Sequence, residues 1–592
     1  MTLRKVIVFY TILSLITIVI IPFLLAECKA DPILPEVKIN IEPHTIIYEG
    51  DIIDCDITGE PTILYWMINN QSHHKTFYKE KPIIFDPEPT PLGTDYVNLT
   101  VYAENEAGKA SDTIGVIIKR IYFGDIHWHT TLCDGDNEID TMYQNAIKDN
   151  YLDFVCYTGH AEVIDGMRKS FTNLPWLDLN KLGCNLYRLG MRLQNVFHYI
   201  RYGYNDWETI KQKVNEYYNE GDFTTFLGFE WTAFDEPNCH INFYYKEVYP
   251  DAAEYASSDV VDNSSSKANL DEIFKAMSDE WDKGHLNVCF PHHPQQYKVN
   301  WTYLANNVNE TYRDKVLRGV EVFSEWGTAI GQKFTPDLPH NWPYYSQDNS
   351  TYMDEAWVEN AMWEWSENVK KGQPFAMMAS SDIHIQNRPG SAKPLGASIV
   401  LPFNPSGIIA AYAIHNNRSE IWDAMNTCDM YATQLLKIRA NVRFDGQMAL
   451  GRWINCSSPL TVTITAQSTF PGSDNSDKSM CPHGYSSKEL DYPISDIWLI
   501  KKDTEKGQPY CKVINHTTPD TNTAVVKFQD SDVQPNDFYY VAIRQKGELL
   551  TPKSIPLLTK LMPKRYHKWL GDIGNRDEYM AFIGPIFIDN VV

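Results

Sequence analysis

Between Ile121 and Arg439 a helical periodicity gives way, again and again, to a short apolar run. One unit is explicit. Leu270, Ile273, Phe274, Met277 and Trp281 fall at helical spacing, Gly284 can stop the helix, and residues 286–290 read as a buried strand. The same order recurs at 142–150 then 152–157, at 207–218 then 223–228, and at 357–370 then 375–379. Repeated αβ units imply a largely parallel sheet or barrel, in which function gathers where the strands end.

The flanks read differently. From about Asp31 to residue 120, short alternating runs at 37–41, 63–67, 96–102 and 113–117 lie between turn residues, the pattern of a small β-sandwich. Trp66 resembles the buried strand tryptophan of immunoglobulin-like domains, and Asn105-Glu-Ala-Gly108 their late turn. Only Cys55 lies nearby, so the usual inter-sheet disulfide is absent. From about Ala440 alternation returns at 460–465, 496–500, 524–528 and 539–543, with 468–492 a polar insertion. The expected division is 1–30 signal peptide or membrane anchor, 31–120 sandwich, 121–439 αβ domain and 440–592 β-rich domain.

Arg4 and Lys5 precede an uncharged apolar run from Val6 to Ala26, which reads as a secretion signal or an uncleaved anchor. The expected location is therefore secreted or cell-surface. Asn-x-Ser/Thr sequons at Asn70, Asn98, Asn263, Asn300, Asn309, Asn349, Asn417, Asn455 and Asn515 are consistent with a glycoprotein. Outside the cell the cysteines are free to form disulfides, with Cys456, Cys481 and Cys511 the first pool to consider. The formal net charge of -24 argues against a duplex nucleic-acid partner and against docking on anionic lipid through a polybasic patch. Oligomeric state is not legible.

The chemistry lies at the strand ends. His127-Trp-His129 closes the first strand, and i, i+2 residues of an extended segment share a face, so both imidazoles can reach one ion. Asp134 follows five residues on. Thr158-Gly-His160, Gly228-Phe-Glu230, His240, Pro291-His-His293-Pro294 and Ser381-Asp382-Ile-His384 close later strands, the last with a second i, i+2 pair. A lone histidine is usually a hydrogen-bonded structural residue. HxH and DxH together at strand ends, with GH and HH at others, point to a centre gathered from several strands. With nitrogen and oxygen donors and no thiolate it suits Mn, Zn or Fe. Asp125 and Glu321 read as supports rather than ligands, and Asp136 and Glu162 are weaker candidates.

These residues resemble the polymerase-and-histidinol-phosphatase (PHP) superfamily, over about Ile121 to Arg439. GDIHWHT, GFEWT, GVEVFSEWG, SSDIH and IWDAMNTCDMYAT resemble an exported branch of it. The resemblance implies an α/β fold with a distorted (β/α)7 barrel and up to three divalent ions. By motif, His127, His129, Glu230 and Asp382 would hold one ion, with Glu230 bridging to a second. His240 and one of His292 and His293 would complete the second site, His293 being favoured by the His-Pro pattern. Asp134, His160 and His384 would hold the third. Two departures stand out: Gly159 replaces the Asp that commonly precedes the family's histidine, and Gln434-Leu435 follow Tyr-Ala-Thr where the branch tends to continue Thr-Gly.

The expected function is an exported metal-dependent phosphoesterase acting on a small ester. Glu230 and Asp382 would serve catalysis as metal-bridging and metal-holding groups. Arg388, in Asn-Arg-Pro-Gly390, is either a planar donor to phosphate or a surface arginine in a turn. The alternatives are hydrolysis of a non-phosphate ester or amide at the same centre, and a cell-surface binding protein with a vestigial barrel. No GxSxG elbow or Walker loop supports a serine esterase or a P-loop enzyme.

Overall fold

A computed structural model describes residues 33–59, 61, 63–69, 71–77, 96–133, 135, 137–147, 152–162, 206–233, 239–256, 259–260, 269–294, 301–324, 327–331, 335, 338, 356–384, 407–434, 437–468, 493–546 and 578–592. The N-terminal apolar run lies outside these residues. Among the described residues no helix is long and apolar enough to cross a membrane. The fold is mixed α/β, with many strands and few helices.

Residues 1–47, 52–88 and 94–118 form one unit. Its antiparallel sheet places Ile63–Ile68 between Gln71–Phe77 and Val97–Asn105. Alternation puts Leu64, Trp66 and Ile68 on the same side as the buried Leu99, Val101 and Ala103, which makes a small core. Val97–Asn105 turns back at Asn105↔Gly108 into the strand Gly108–Asp125. The Asn105 side chain accepts from Ala107 N and donates to Gly59 O, while Gly108 takes φ +145°.

Residues 48–51, 89–93 and 119–592 form the second unit. Here the end of Gly108–Asp125 (β1) pairs in parallel with Phe154–Tyr157 (β2), and β2 in parallel with Thr224–Ala233 (β3). Cys239–Tyr245 (β4) then runs antiparallel to β3 and to Asn287–Pro291 (β5). A bridge from Cys289 to Leu317 leads to Gly319–Ser324 (β6), which pairs in parallel with Ala376–Ala379 (β7). Beyond β7, Ile383 bridges in parallel to Trp128, just past the end of β1. Each strand is buried along its whole length here, as expected of strands covered on both faces.

Helices precede these strands where the periodicity places them: Ile139–Ile147 (α1), Asp206–Glu216 (α2), Leu270–Asp282 (α3) and Trp357–Asn368 (α4). In α3 the Asn269 side chain caps the start by accepting from Asp271 N, and Leu270, Ile273, Phe274 and Met277 are buried. Gly284, at φ +95°, follows its end.

Alternation beyond residue 440 does form strands, but the position near Ala440 lies inside the second unit. Met430–Gln434 pairs with Glu578–Val591, which continues through Phe538–Lys546 to Ile494–Lys502. Gln434, one of the two motif departures, accepts from Met580 N through its side chain, which ties these strands together. Cys456 and Cys511 are free thiols, and Cys481 lies outside the described residues. Residues 469–492, most of the polar insertion, also lie outside.

Candidate metal centre

Six strand ends converge on one buried cluster. His127 and His129 follow β1, His160 follows β2, Glu230 lies on β3, His240 on β4, His292 and His293 follow β5, and Asp382 and His384 follow β7. All but His384 are buried. Asp134, Asp136 and Arg388 lie outside the described residues.

The donor atoms face one another at short range. His127 Nε2 is 3.0 Å from His129 Nε2 and 3.4 Å from Glu230 Oε2. Asp382 Oδ1 lies 3.3 Å from His127 Nε2 and 3.0 Å from His129 Nε2. His160 Nδ1 is 3.1 Å from Glu230 Oε2, and His292 Nε2 is 3.0 Å from Glu230 Oε1, which also contacts His240 Nδ1. An ion about 2.0–2.2 Å from each donor would separate neighbouring donors by roughly 2.8–3.6 Å in tetrahedral or octahedral geometry. All of these contacts have that length except the shorter one between Glu230 and His240. Among the described residues four sets have donor atoms within 4.8 Å of one another: Glu230, His240, His292 and His293; His129, His160 and His384; His127, His129 and Glu230; and His127, His292 and Asp382.

Protonation favours lone-pair donors. Burial pushes His240 down, His292 down to about 3 and His293 well below the imidazole range. Burial opposes charge on Glu230 and Asp382, but the surrounding imidazoles outweigh it and hold both carboxyls well below their usual range. The Nδ1 of the buried His292 makes no hydrogen bond, while its Nε2 faces Glu230 Oε1. Such a set can receive a cation, which requires neutral imidazoles and ionised carboxylates.

Around the donors stands a layer of supports. Asp125 Oδ1 accepts from Ser381 N at 3.0 Å and from His127 N at 3.2 Å, and its other oxygen accepts from Ser381 Oγ. Glu321 Oε2 accepts from His293 N at 2.7 Å, and Ser380 Oγ donates to Oε1. Burial pushes the Glu321 carboxyl well above the usual range. Both residues thus support the loops that carry ligands, as the sequence suggests. Glu162 accepts from Thr232 N.

The sequence reading missed four supports. Thr232 Oγ1 is 2.9 Å from His160 Nδ1 and donates to Glu230 Oε1 at 3.1 Å. It stands at i+2 from Glu230 on one strand, so the period-2 rule could have found it. Cys133 Sγ lies 3.3 Å from His129 Nδ1, on the ring edge away from the cluster. Ser380 and Ser381 directly precede the Asp382-x-His384 pair, but no pattern of their own marks them as supports. The Gly159 departure has a steric cause, because a Cβ there would lie 2.1 Å from Tyr157 Oη and 2.8 Å from Cys133 Sγ. Those side chains occupy the space an aspartate would need.

Fold and cluster together define a mixed α/β protein with buried carboxylates and imidazoles that could hold metal ions. A family described as a protein of unknown function (DUF3604) matches residues 186–300 and 366–474. Among solved structures, the chain is similar to a two-domain protein from Bacteroides vulgatus ATCC 8482 containing a predicted PHP-like metal-dependent phosphoesterase. The identity is 12%, covering 72% of this chain and 90% of that one, with a TM-score of 0.29. It is also similar to a β-glucuronidase from Parabacteroides merdae, at 8% identity, 91% and 62% coverage and a TM-score of 0.18. No curated protein matches the chain.

Proposed function

We propose that the chain is an exported, metal-dependent phosphoesterase acting on a small phosphorylated substrate. The observation that carries this reading is the convergence of seven imidazoles and two carboxylates from six strand ends, with donor atoms at metal-polyhedron spacing. The strand pairings from β1 round to β7 and back through Trp128 support a distorted (β/α)7 PHP-type barrel. An immunoglobulin-like sandwich over 31–120 and a β-rich domain over 440–592 flank it. Export to the cell surface or beyond rests on the N-terminal run and the sequons.

The centre binds two or three divalent ions, Mn, Zn or Fe, through His127, His129, Asp134, His160, Glu230, His240, His293, Asp382 and His384. When bound, such ions supply a water of near-neutral pKa and polarise phosphoryl oxygens. The chain's own part is orientation. Glu230 presents Oε1 toward His240 and His292 and Oε2 toward His127 and His160, the arrangement of a bridging ligand. Asp382 fixes the opposite wall, and Arg388 steadies the phosphate. Burial of the cluster excludes bulk water from the donors.

The test is elemental analysis of the purified protein, followed by a panel of phosphomonoesters, phosphodiesters, carboxylic esters, lactones and amides with Mn or Zn present. Cleavage confined to phosphoesters, lost together with metal in His127→Ala, is the expected result. Hydrolysis of only the other bonds would replace the substrate class. A parent protein that holds its metal and cleaves nothing in the panel would overturn the enzymatic reading.

A further inference from the structure

The resemblance assigns one of two adjacent histidines to the second metal position. We propose that His292 and His293 both serve it, making a position closed by four protein donors, and that the left-handed backbone at His293 puts them there. This rests on the metal-centre reading above.

Successive residues of a strand point to opposite faces, so consecutive side chains do not normally enter one site. Just past β5 this rule is broken. The rings of His292 and His293 lie 3.8 Å apart at 82°, both are buried, and both belong to the donor set with Glu230 and His240. The break is made by His293, whose φ of +27° is in the region that non-glycine residues avoid. Such a conformation persists only where the surroundings impose it. Here His293 N donates to Glu321 Oε2 at 2.7 Å and His292 N donates to His240 O at 3.2 Å. Both backbone hydrogen bonds are directed by residues that themselves border the cluster.

The two imidazoles then address different carboxylates. His292 Nε2 is 3.0 Å from Glu230 Oε1, whereas His293 Nε2 is 3.4 Å from Asp382 Oδ2. His292 also packs edge-on against His127, with ring centroids 4.2 Å apart. A packing role leaves its chemistry unexplained: an imidazole buried with Nδ1 unpaired and Nε2 aimed at a carboxylate oxygen costs free energy that an apolar side chain of similar size would not. A cation beside Nε2 removes that cost. Three imidazoles and one carboxylate oxygen form a complete tetrahedral set, whereas among the described residues the other three sets each have three donors. The four-donor position should therefore release its ion last.

The experiment uses the full chain, loaded with Zn and separately with Co(II). Metal equivalents, the rate of release to a chelator and the visible Co(II) spectrum are read for the parent, His292→Ala and His293→Ala. Both variants should lose the same slowly released equivalent and the same spectral component. Affinity at that position should fall by at least the roughly 10–100-fold that loss of an outer-shell partner costs. Added imidazole should restore the missing equivalent to His292→Ala, which separates a lost ligand from a damaged fold. Parent-like stoichiometry and release in His292→Ala overturn the proposal, as does an equivalent that imidazole fails to restore. A parent that holds no transition metal would instead overturn the metal centre on which the proposal stands.

Discussion

Replacing Asp125 with alanine tests whether the supporting layer holds the ligands in place without metal. Its carboxylate is fully buried and takes three donors: Ser381 N, His127 N and Ser381 Oγ. After truncation the Ser381 hydroxyl can turn to His127 O, 3.1 Å away, so two backbone N–H groups are orphaned. Each costs about 1–3 kcal/mol when buried without a partner. Removing the charge recovers part of its own desolvation cost, so the net local loss should be about 3 kcal/mol. Asp125→Asn keeps an acceptor oxygen for both N–H groups and should lose only about 1 kcal/mol. Because a chain of this size need not unfold in one step, a local reading is required. Hydrogen exchange of peptides covering 125–129 and 380–384, in chelator, should quicken roughly 100-fold in Asp125→Ala. Metal affinity should fall by roughly 10–100-fold. Exchange within a few-fold of the parent, or equal damage from alanine and asparagine, would refute the reasoning.

Glu359 offers a pH test away from the cluster. Burial raises its carboxyl from 4.5 to about 7, and Gly331 N and Thr335 Oγ1 donate to it. A raised folded-state value means stability that is complete below pH 4.5 and is lost as pH rises to about 7, on the order of 3 kcal/mol. Melting temperatures from pH 5 to 8 should therefore fall less steeply in Glu359→Gln than in the parent. Gly159→Ala should cost about 1–3 kcal/mol through collision with Tyr157 Oη, and adding Tyr157→Phe should recover part of that loss in a double-mutant melt. Thr232→Val removes the hydroxyl shared by Glu230 and His160, so it should weaken metal binding by roughly 10–100-fold with an unchanged far-UV spectrum.

How far the sequence foretells this centre depends on the range of the rule applied. His127 with His129, and Asp382 with His384, were legible because period 2 in an extended segment is a local rule. The C-terminal end of α3 was legible for the same reason, through Gly284. Registers were not. That His240 stands opposite Thr232, and thereby beside Glu230, follows from an antiparallel pairing that no short pattern announces. The joint entry of His292 and His293 depends on a backbone conformation stabilised by Glu321, 28 residues away in sequence. The continuation of strands past Ala440 was visible as alternation. Their pairing with Met430–Gln434 was not, because it is decided by a partner about 150 residues further along.

His129 and Asp382 meet at 3.0 Å across 253 residues of chain. This pair joins the two halves of the chain, so the full centre exists only when the strand order is complete. Any ion it binds favours the folded ensemble over the unfolded one by mass action. Metal supply and correct folding then become readings of the same equilibrium. Withholding the ion would then weaken the chain's resistance to unfolding.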